Sequence, residues 1–533
     1  MPRYAYRRFP YTPPPELRGA AGRRWPVVVV GAGPVGLAAA IDLAQQGCEV
    51  LVLDDNDVVS VGSRAICWSK RTLEIMDRLG VGERMLAKGV TWKVGRVFHR
   101  DRELYSFDLL PETGHKMPAF VNLQQYYVEE YLIDRCRELG ERIELRWKQR
   151  VAGVAQNGER VRLAVATPDG PYTVDAEYVL ACDGVRSSVR QLLGLDFEGQ
   201  VFEERFLIAD VVMEAEFPSE RWFWFEPPFH RGQSALLHKQ PDDIYRIDLQ
   251  LGWETDPEAE KRPDRVIPRI RAMVGERPFE LDWVSIYTFQ CRRMERFVHG
   301  RVIFAGDSAH VVSPFGARGG NGGIQDVDNL CWKLAAVLRG SAPAALLASY
   351  DEERIRAADE NILNSARATS FMTPKGPIER LFRDAVLELA EEHAFARRLI
   401  NSGRLSRPHH LGGLSLQTAT ADPAAPMAPG APCDDAPIVA PGGQRWLLEL
   451  LRGGFHLLHQ PGATPPRPVD DVPLLVLGRD LEDCEGLLAQ RYALAPGTTV
   501  LIRPDQHVAA RWPDLDPAAI RVALVRATAS TLS

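Results

Sequence analysis

Three clusters of glycine and acidic residues in this chain are spaced for chemistry on a phosphate-bearing ligand. The first is Gly31-Ala32-Gly33-Pro34-Val35-Gly36, a G-x-G-x-x-G. Gly31 permits a tight turn, Gly33 lets a pyrophosphate approach the backbone, and Gly36 lets a helix pack on a strand. Asp54, 23 positions after Gly31 and next to Asp55, can accept hydrogen bonds from a ribose diol. Together these residues read as a dinucleotide site. The second cluster is Asp183-Gly184, followed by Arg186 and Arg190. The third is Gly306-Asp307, at the end of the apolar run Val302–Ala305, where ligands bind in open α/β sheets. A loop carrying Pro314 follows, then Gly319, Gly320, Asn321, Gly322 and Gly323. These glycines let the backbone come close to a flat or charged group. A helix expected after Gly323 would offer free N–H groups to negative charge.

A fourth set has less fixed meaning. On a strand expected over Tyr245–Leu251, Arg246, Asp248 and Gln250 share one face and Ile247, Leu249 and Leu251 the other. His238 and the aromatic run Arg221–His230, with Trp222 and Trp224, precede it. The polar face is either a pocket floor or a solvated surface. Arg64, after a Gly-Ser turn, is either a surface arginine or a group that reaches cofactor phosphates. Gln124 and Gln125 are either helix-entry polar residues or ligand contacts.

The elements that position these residues are legible in the pattern. Val27–Val30 and Val50–Leu53 are apolar, β-branched runs expected as buried parallel strands, with a helix over Leu37–Gln46 between them. A helix-like stretch carries Leu73, Ile75, Met76 and Leu79. Phe120–Leu139 reads as a strand end and an amphipathic helix with Val128, Leu132 and Cys136 on one face. IELRWK, VRLAVAT and YTVDAEYVLAC, between Ile143 and Cys182, are expected to form a small meander. Residues 197–287 alternate as an antiparallel sheet does. Ala342 to about Arg404 is helical, and 405–440 is a Pro/Ala/Gly-rich linker. A compact α/β pattern then begins near Trp446, with helices over RWLLELLRG and LEDCEGLLAQRY.

Size and composition set the limits. The 533 residues suggest two to four domains at about 150 residues each. A net charge of −7 gives no reason to expect nucleic acid, and no apolar run reaches the roughly 18 residues of a membrane span. The eight cysteines are scattered without a C-x-x-C, which argues against disulfides or a zinc site and fits a reducing cytoplasm. No metal is called for. The basic, proline-rich segment 1–26 lacks the apolar core of a secretion signal and reads as an arm on the surface.

With these motifs in order, the chain resembles the FAD-dependent aromatic hydroxylases, the class A flavoprotein monooxygenases of the p-hydroxybenzoate and phenol hydroxylase type. It is most similar to the branch with a C-terminal thioredoxin-like domain, which includes 3-(3-hydroxyphenyl)propionate hydroxylase. The resemblance implies an α/β fold: a Rossmann-type FAD-binding domain over 27–196 and 288–404, an inserted substrate sheet over 197–287 and a thioredoxin-like domain over 441–533. It implies that Gly31, Gly33, Pro34, Val35, Gly36, Asp54, Asp55, Arg64 and Gln125 hold FAD. Asp183, Gly306, Asp307, Pro314, Gly319, Gly320, Asn321 and Gly322 would complete the cofactor site. NADPH or NADH would reduce FAD, and a flavin C4a-hydroperoxide formed with O2 would hydroxylate a small phenolic or related aromatic substrate. Arg246, Asp248 and His238 are the catalytic candidates, with Asp248 where relatives place a tyrosine. Trp222, Trp224 and Gln250 are the substrate-contact candidates. A homodimer is implied by resemblance alone.

Two alternatives accompany this reading. Trp222-Phe223-Trp224-Phe225-Glu226-Pro227 faintly resembles the W-x-W-x-I-P of flavin-dependent halogenases, without the isoleucine. The other is a non-catalytic binding protein on the same fold, against which the glycine turn at 319–323 argues.

Overall fold

The computed structural model describes residues 4–19, 22–252, 255–400, 405, 407–420, 422–463 and 465–530. At its centre lie five parallel strands in the order Val302–Phe304, Gly170–Ala181, Arg24–Val30, Val50–Asp54 and Ile143–Trp147. Their apolar runs are continuous because both faces are covered, and Val27–Val29 and Val50–Leu53 are fully buried. The helix Pro34–Gln45 packs against both Gln125–Glu138 and Gly319–Leu338. Strands Arg150–Gln156 and Val161–Thr167 fold back antiparallel on Gly170–Ala181. The meander is therefore offset from the one expected. Ile143–Trp147 is the outer parallel strand, and the chain turns at Lys148, with φ 57°, into Arg150–Gln156. That strand, RVAGVAQ, has too few β-branched residues to stand out in the sequence.

A second, eight-stranded sheet forms the other layer. Its order is His310–Val311, Glu280–Arg293, Glu198–Val212, Ile244–Leu251, Ser234–Lys239, Arg221–Phe225, Val94–His99 and Arg102–Asp108. The antiparallel sheet expected over 197–287 is present but extends further. The hairpin at 94–108 joins it by parallel pairing of Val94–His99 with Arg221–Phe225. A pairing so remote in sequence leaves no local turn signal. Helix Pro263–Val274 covers the outer face, burying Val266, Ile270 and Val274 against Leu207, Ile247 and Leu249.

Beyond Pro437 a four-stranded sheet runs Leu474–Val476, His456–His459, Thr499–Ile502, Val508–Trp512, with helix Pro517–Ala527 packed on it. The helix expected over Leu481–Tyr492 is confined to Leu487–Arg491, because Gly486 takes a left-handed conformation at its start. The one expected over RWLLELLRG shrinks to Leu447–Leu450. Among the described residues no helix is long and apolar enough to cross a membrane.

Buried charges join this C-terminal unit to the core. Arg503 donates to both oxygens of Glu353 at 2.6 and 2.9 Å and to Asp505 at 3.0 Å. Lys333 donates to the same glutamate at 2.7 Å. Arg71 donates to Asp328 at 2.9 Å, to the Asp505 carbonyl at 2.7 Å and to Gln506 at 3.0 Å. Each buried charge has a partner of opposite sign, and removing one member strands the other. Arg503→Met should therefore lower unfolding stability by about 3–5 kcal/mol, read by calorimetry or denaturant titration. An unchanged transition would contradict a structural role for the network.

Candidate active site

One cavity of about 710 Å³ opens where the C-terminal ends of the parallel strands meet the inner face of the second sheet. The glycine loop forms its near wall. Gly31 has φ 105°, and a Cβ there would stand 2.5 Å from the Cys182 carbonyl oxygen. A Cβ on Gly36 would stand 1.9 Å from the Gly31 carbonyl oxygen, so the helix packs on the strand only without a side chain. Gly33 differs. A Cβ there meets nothing within 4 Å, and the residue lines the cavity with Pro34 and Val35. Asp54 fastens the loop, its Oδ2 accepting from the Ala32 N–H at 2.6 Å and its Oδ1 from the Asn56 N–H at 2.8 Å. Burial pushes this carboxyl up, against those two N–H groups. Asp54 and Asp55 both line the cavity, and a carboxylate engaged this way retains lone pairs for further donors.

The far wall comes from the other two motifs. Asp183 caps the helix Ser188–Leu192, its Oδ2 accepting from the Val189 N–H at 3.1 Å, while its Oδ1 is buried without a partner. Asp307 opens to the cavity but is crowded by protein, which raises its carboxyl despite His310 and Arg64 nearby. Gly306, with φ 65°, lies behind the lining rather than in it. Asp326, which the sequence reading does not single out, fixes this corner. It accepts from the Gly306 N–H at 2.9 Å, from His310 Nε2 at 2.6 Å and from Arg354 Nε at 2.7 Å. Burial alone would raise its pKa, but these partners bring it down to about 2. Asn329 and Lys333, one and two turns on, are buried polar residues as well, so no apolar stripe marks Asp326 out in the sequence.

The glycine turn departs from expectation. Gly319–Gly323 are the first turn of the helix Gly319–Leu338, not the loop before it. Glycine's poor helix propensity conceals this start. First-turn N–H groups have no carbonyl partner within the helix, and Gly319, Gly320 and Asn321 line the cavity beside Pro314. Gly322 does not; a Cβ there would face His310 and Asn361 instead. The Asn321 side chain ties the turn to the Ser69 N–H at 3.0 Å and the Cys67 carbonyl at 2.9 Å.

Arg64 is exposed to the cavity near Asp307 and Tyr287. Gln125 also lines it, but both ends of its amide are engaged in protein. Its Oε1 accepts from the Ala65 N–H at 3.1 Å, and its Nε2 donates to Glu129 at 2.8 Å and Ser60 at 3.1 Å. Gln124 is buried and donates to the Pro241 carbonyl.

The sheet's inner face is ordered in cross-strand rows. One row is Arg221, His238, Arg246, Asp210 and Trp283; the next is Phe223, Leu236, Asp248, Ile208 and Ser285. In the first row Arg246 pairs with Asp210 through two bonds of 2.8 Å and donates to the Ser63 carbonyl at 2.5 Å. Its guanidinium is thus spent on protein, and it acts by holding the loop that carries Arg64. In the second row Asp248 sits between apolar neighbours. Its Oδ1 makes no hydrogen bond and its Oδ2 is 3.9 Å from His238 Nε2. Burial pushes its carboxyl up to about 6, against the pull of Arg246 and Arg221. Burial also holds His238 well below the ordinary imidazole range, with Arg221 and Arg246 adding to the effect. Cys67 Sγ lies 3.9 Å from His238 Nδ1, and desolvation lifts the thiol to about 11, which leaves it protonated. Phe206, Phe289, Phe315, Leu236 and Ile208 close the same end of the cavity.

Three substrate candidates fall outside the cavity. Strand alternation puts Trp222 and Trp224 on the outer face, where Trp224 stacks on Phe98 and both join the core under Pro263–Val274. Gln250 shares the inner face but lies one row beyond, its Oε1 accepting from the Ser234 N–H at 2.9 Å. With the tryptophans goes the residue basis of the halogenase alternative.

A strand–glycine loop–helix unit, a helix N-terminus and two further loops around one cavity define a nucleotide-cofactor enzyme of the α/β class. Residues 24–365 match the FAD binding domain family, and the chain belongs to that family. It is 31% identical over 501 residues to the 12-dehydrotetracycline 5-monooxygenase/anhydrotetracycline 6-monooxygenase of Streptomyces rimosus, covering 91% of this chain and 95% of that one. It is 29% identical over 405 residues to the 3-(3-hydroxy-phenyl)propionate/3-hydroxycinnamic acid hydroxylase of Mycolicibacterium smegmatis, covering 75% and 71%. Among solved structures, the flavin-dependent monooxygenase PieE with FAD and substrate superposes with a TM-score of 0.80 at 23% identity, over 96% of this chain and all of that one, which shows the fold. The chain is an FAD-dependent monooxygenase, of a family in which NAD(P)H is the typical electron donor. The open space at Gly33, the unpartnered Asp183 oxygen and the glycine-led helix N-terminus all fit FAD.

Gly33 and Gly36 separate cofactor binding from folding. Gly33→Ala should leave apoprotein stability within about 1 kcal/mol while weakening FAD binding. Gly36→Ala should lower both, because its Cβ collides with backbone. Thermal unfolding of the apoprotein and FAD titration check this, and equal behaviour of the two variants would contradict it.

Proposed function

We propose that the chain hydroxylates a phenolic ring held against the sheet's inner face, with Asp248 accepting the phenol's hydrogen. One observation carries this: an ionisable carboxyl, lining the end of an aromatic-walled cavity, with one oxygen unpartnered among apolar neighbours. A buried carboxyl in that state is costly unless a ligand completes it. The relatives support the substrate class, since one is named for 3-(3-hydroxy-phenyl)propionate and another for anhydrotetracycline.

FAD, when bound and reduced by NAD(P)H, would activate O2, so that one oxygen atom goes to the ring and the other leaves as water. The residues of this chain do the rest. The first-turn N–H groups of Gly319–Leu338 favour negative charge on the group in front of them. Phe206, Phe289, Phe315 and Tyr287 exclude water from the ring and orient it. Asp248, ionised above about pH 6, draws the phenolic hydrogen toward itself and raises electron density on the ring. Neutral His238 lies beside it, and Arg221 supplies positive charge to the developing phenolate. Arg246 keeps the substrate sheet and the Arg64 loop in register. The C-terminal unit has no C-x-x-C, and we read it as thioredoxin-like in build and structural in role.

Asp248→Asn tests the assignment. With phenols of one and several rings, kcat/KM of the parent should rise through about pH 6, as the carboxyl ionises. The variant should lose that rise and about 10²–10⁴-fold in rate, with FAD binding unchanged. The folded protein keeps a proton on Asp248 to a higher pH than the unfolded chain does. Its ionised form therefore costs stability that grows as pH rises from about 4 through about 6. Asp248→Asn should accordingly be more stable at pH 8 by on the order of 3 kcal/mol. A variant with parental rate and pH profile would overturn the role.

A further inference from the structure

The segment before the glycine motif lies outside the family match, which begins at residue 24. The sequence reading treats it as a surface arm, but the structure gives it a specific seat. Residues 4–11 run along the outer edge of the irregular loop between Asp54 and Cys67. The inner edge of that loop, including Val58, Val59, Ser60, Val61, Gly62 and Arg64, lines the cofactor cavity.

The contacts are backbone as well as side chain. The Phe9 N–H donates to the Asp57 carbonyl at 2.7 Å, and Arg8 forms an antiparallel bridge with Val58. Arg8 Nη1 donates to both oxygens of Asp57 at 3.1 Å. The Tyr6 hydroxyl oxygen accepts from the Gly62 N–H at 2.9 Å. Gly62 has φ 73°, and a Cβ there would strike the Trp283 ring at 2.3 Å, so the loop is pinched between the arm and the substrate sheet. Phe9 is 1% exposed and stacks at 4.6 Å on Trp147, itself a lining residue. Tyr4 anchors the other end, stacked on Tyr126 at 4.1 Å and donating to Glu130 at 2.8 Å.

We propose that Tyr4–Tyr11 is a cofactor-positioning element, which fixes the outer edge of this loop so that its inner edge is preformed for FAD. A loop without regular structure loses conformational freedom when it closes on a ligand, and contacts that order it beforehand raise affinity by removing that cost. Other contacts hold the loop too, through Ser60 to Glu129 and Arg246 to Ser63. Loss of the arm should therefore loosen the wall without abolishing it. The proposal rests on FAD occupying this cavity.

The test compares the full chain with a deletion of residues 2–13 and with Tyr6→Phe and Arg8→Ala. FAD affinity and release are read by flavin fluorescence, and apoprotein unfolding is measured alongside. The deletion should weaken FAD binding about tenfold or more, mainly through faster release. Tyr6→Phe, which removes one acceptor, should speed release about threefold with the apoprotein transition unmoved, a split that a merely structural arm would not give. FAD affinity and release at parental values in the point variants would overturn the proposal, whether or not the deletion folds. So would a lowered apoprotein transition with unchanged FAD binding. A parent chain that takes up no FAD would instead remove the cofactor reading beneath it.

Discussion

Arg246 and Asp210 form a fully buried ion pair on the inner face of the substrate sheet, closed by two hydrogen bonds of 2.8 Å. The same guanidinium donates to the Ser63 carbonyl across the junction between the two layers. Taking such a charge out of water is tolerated only when its donors are met. Here the sheet accepts two hydrogen bonds from it and the cofactor-side loop two more. The two layers can therefore dock in one arrangement, and the cavity shared by the glycine loop and the aromatic wall follows from it. Asn122 and Gln124, which donate to the Lys239 and Pro241 carbonyls, reinforce the same junction.

Three buried carboxylates around the cavity show how environment divides labour. Asp326, with His310, Arg354 and a backbone N–H, stays ionised down to about 2 and anchors the Gly306-Asp307 corner. Asp210 is neutralised by Arg246. Asp248, two residues along the strand from Arg246, has apolar row neighbours and no such partner, and its carboxyl rises to about 6. Partners on the page account for Asp326 and Asp210, whereas Asp248 lines the cavity with one oxygen unpartnered.

Local features carried most of the cofactor half into the sequence. Gly31, Gly33 and Gly36 announce strand, turn and helix within a few residues; the structure gives Gly31 and Gly36 a steric reason and leaves Gly33 facing open cavity space. Asp183 and Asp307 were legible because each directly follows a buried strand. The substrate half was less so. Period-two alternation located the strand Ile244–Leu251 and its polar face, but not which end of that face meets the cavity. Gln250 fell one row too far. Trp222 and Trp224 attracted notice by type, while their parity on the strand sends them outward. The 94–108 hairpin, the Asp326 network and the Arg503–Glu353 linkage depend on pairings remote in sequence, for which no local pattern exists. The helix beginning at Gly319 was hidden because glycine usually ends helices.

The central claim is that one cavity brings FAD and a phenolic ring together for oxygen insertion. The most direct measurement is turnover of the purified flavoprotein under isotopically labelled dioxygen with NADH or NADPH and a panel of phenols. Products and peroxide are quantified by mass spectrometry and a coupled assay. The expected result is a ring-hydroxylated product carrying one labelled oxygen atom, formed in step with nicotinamide oxidation and with little peroxide. Stoichiometric peroxide with every phenol, or product oxygen derived from water, would contradict it.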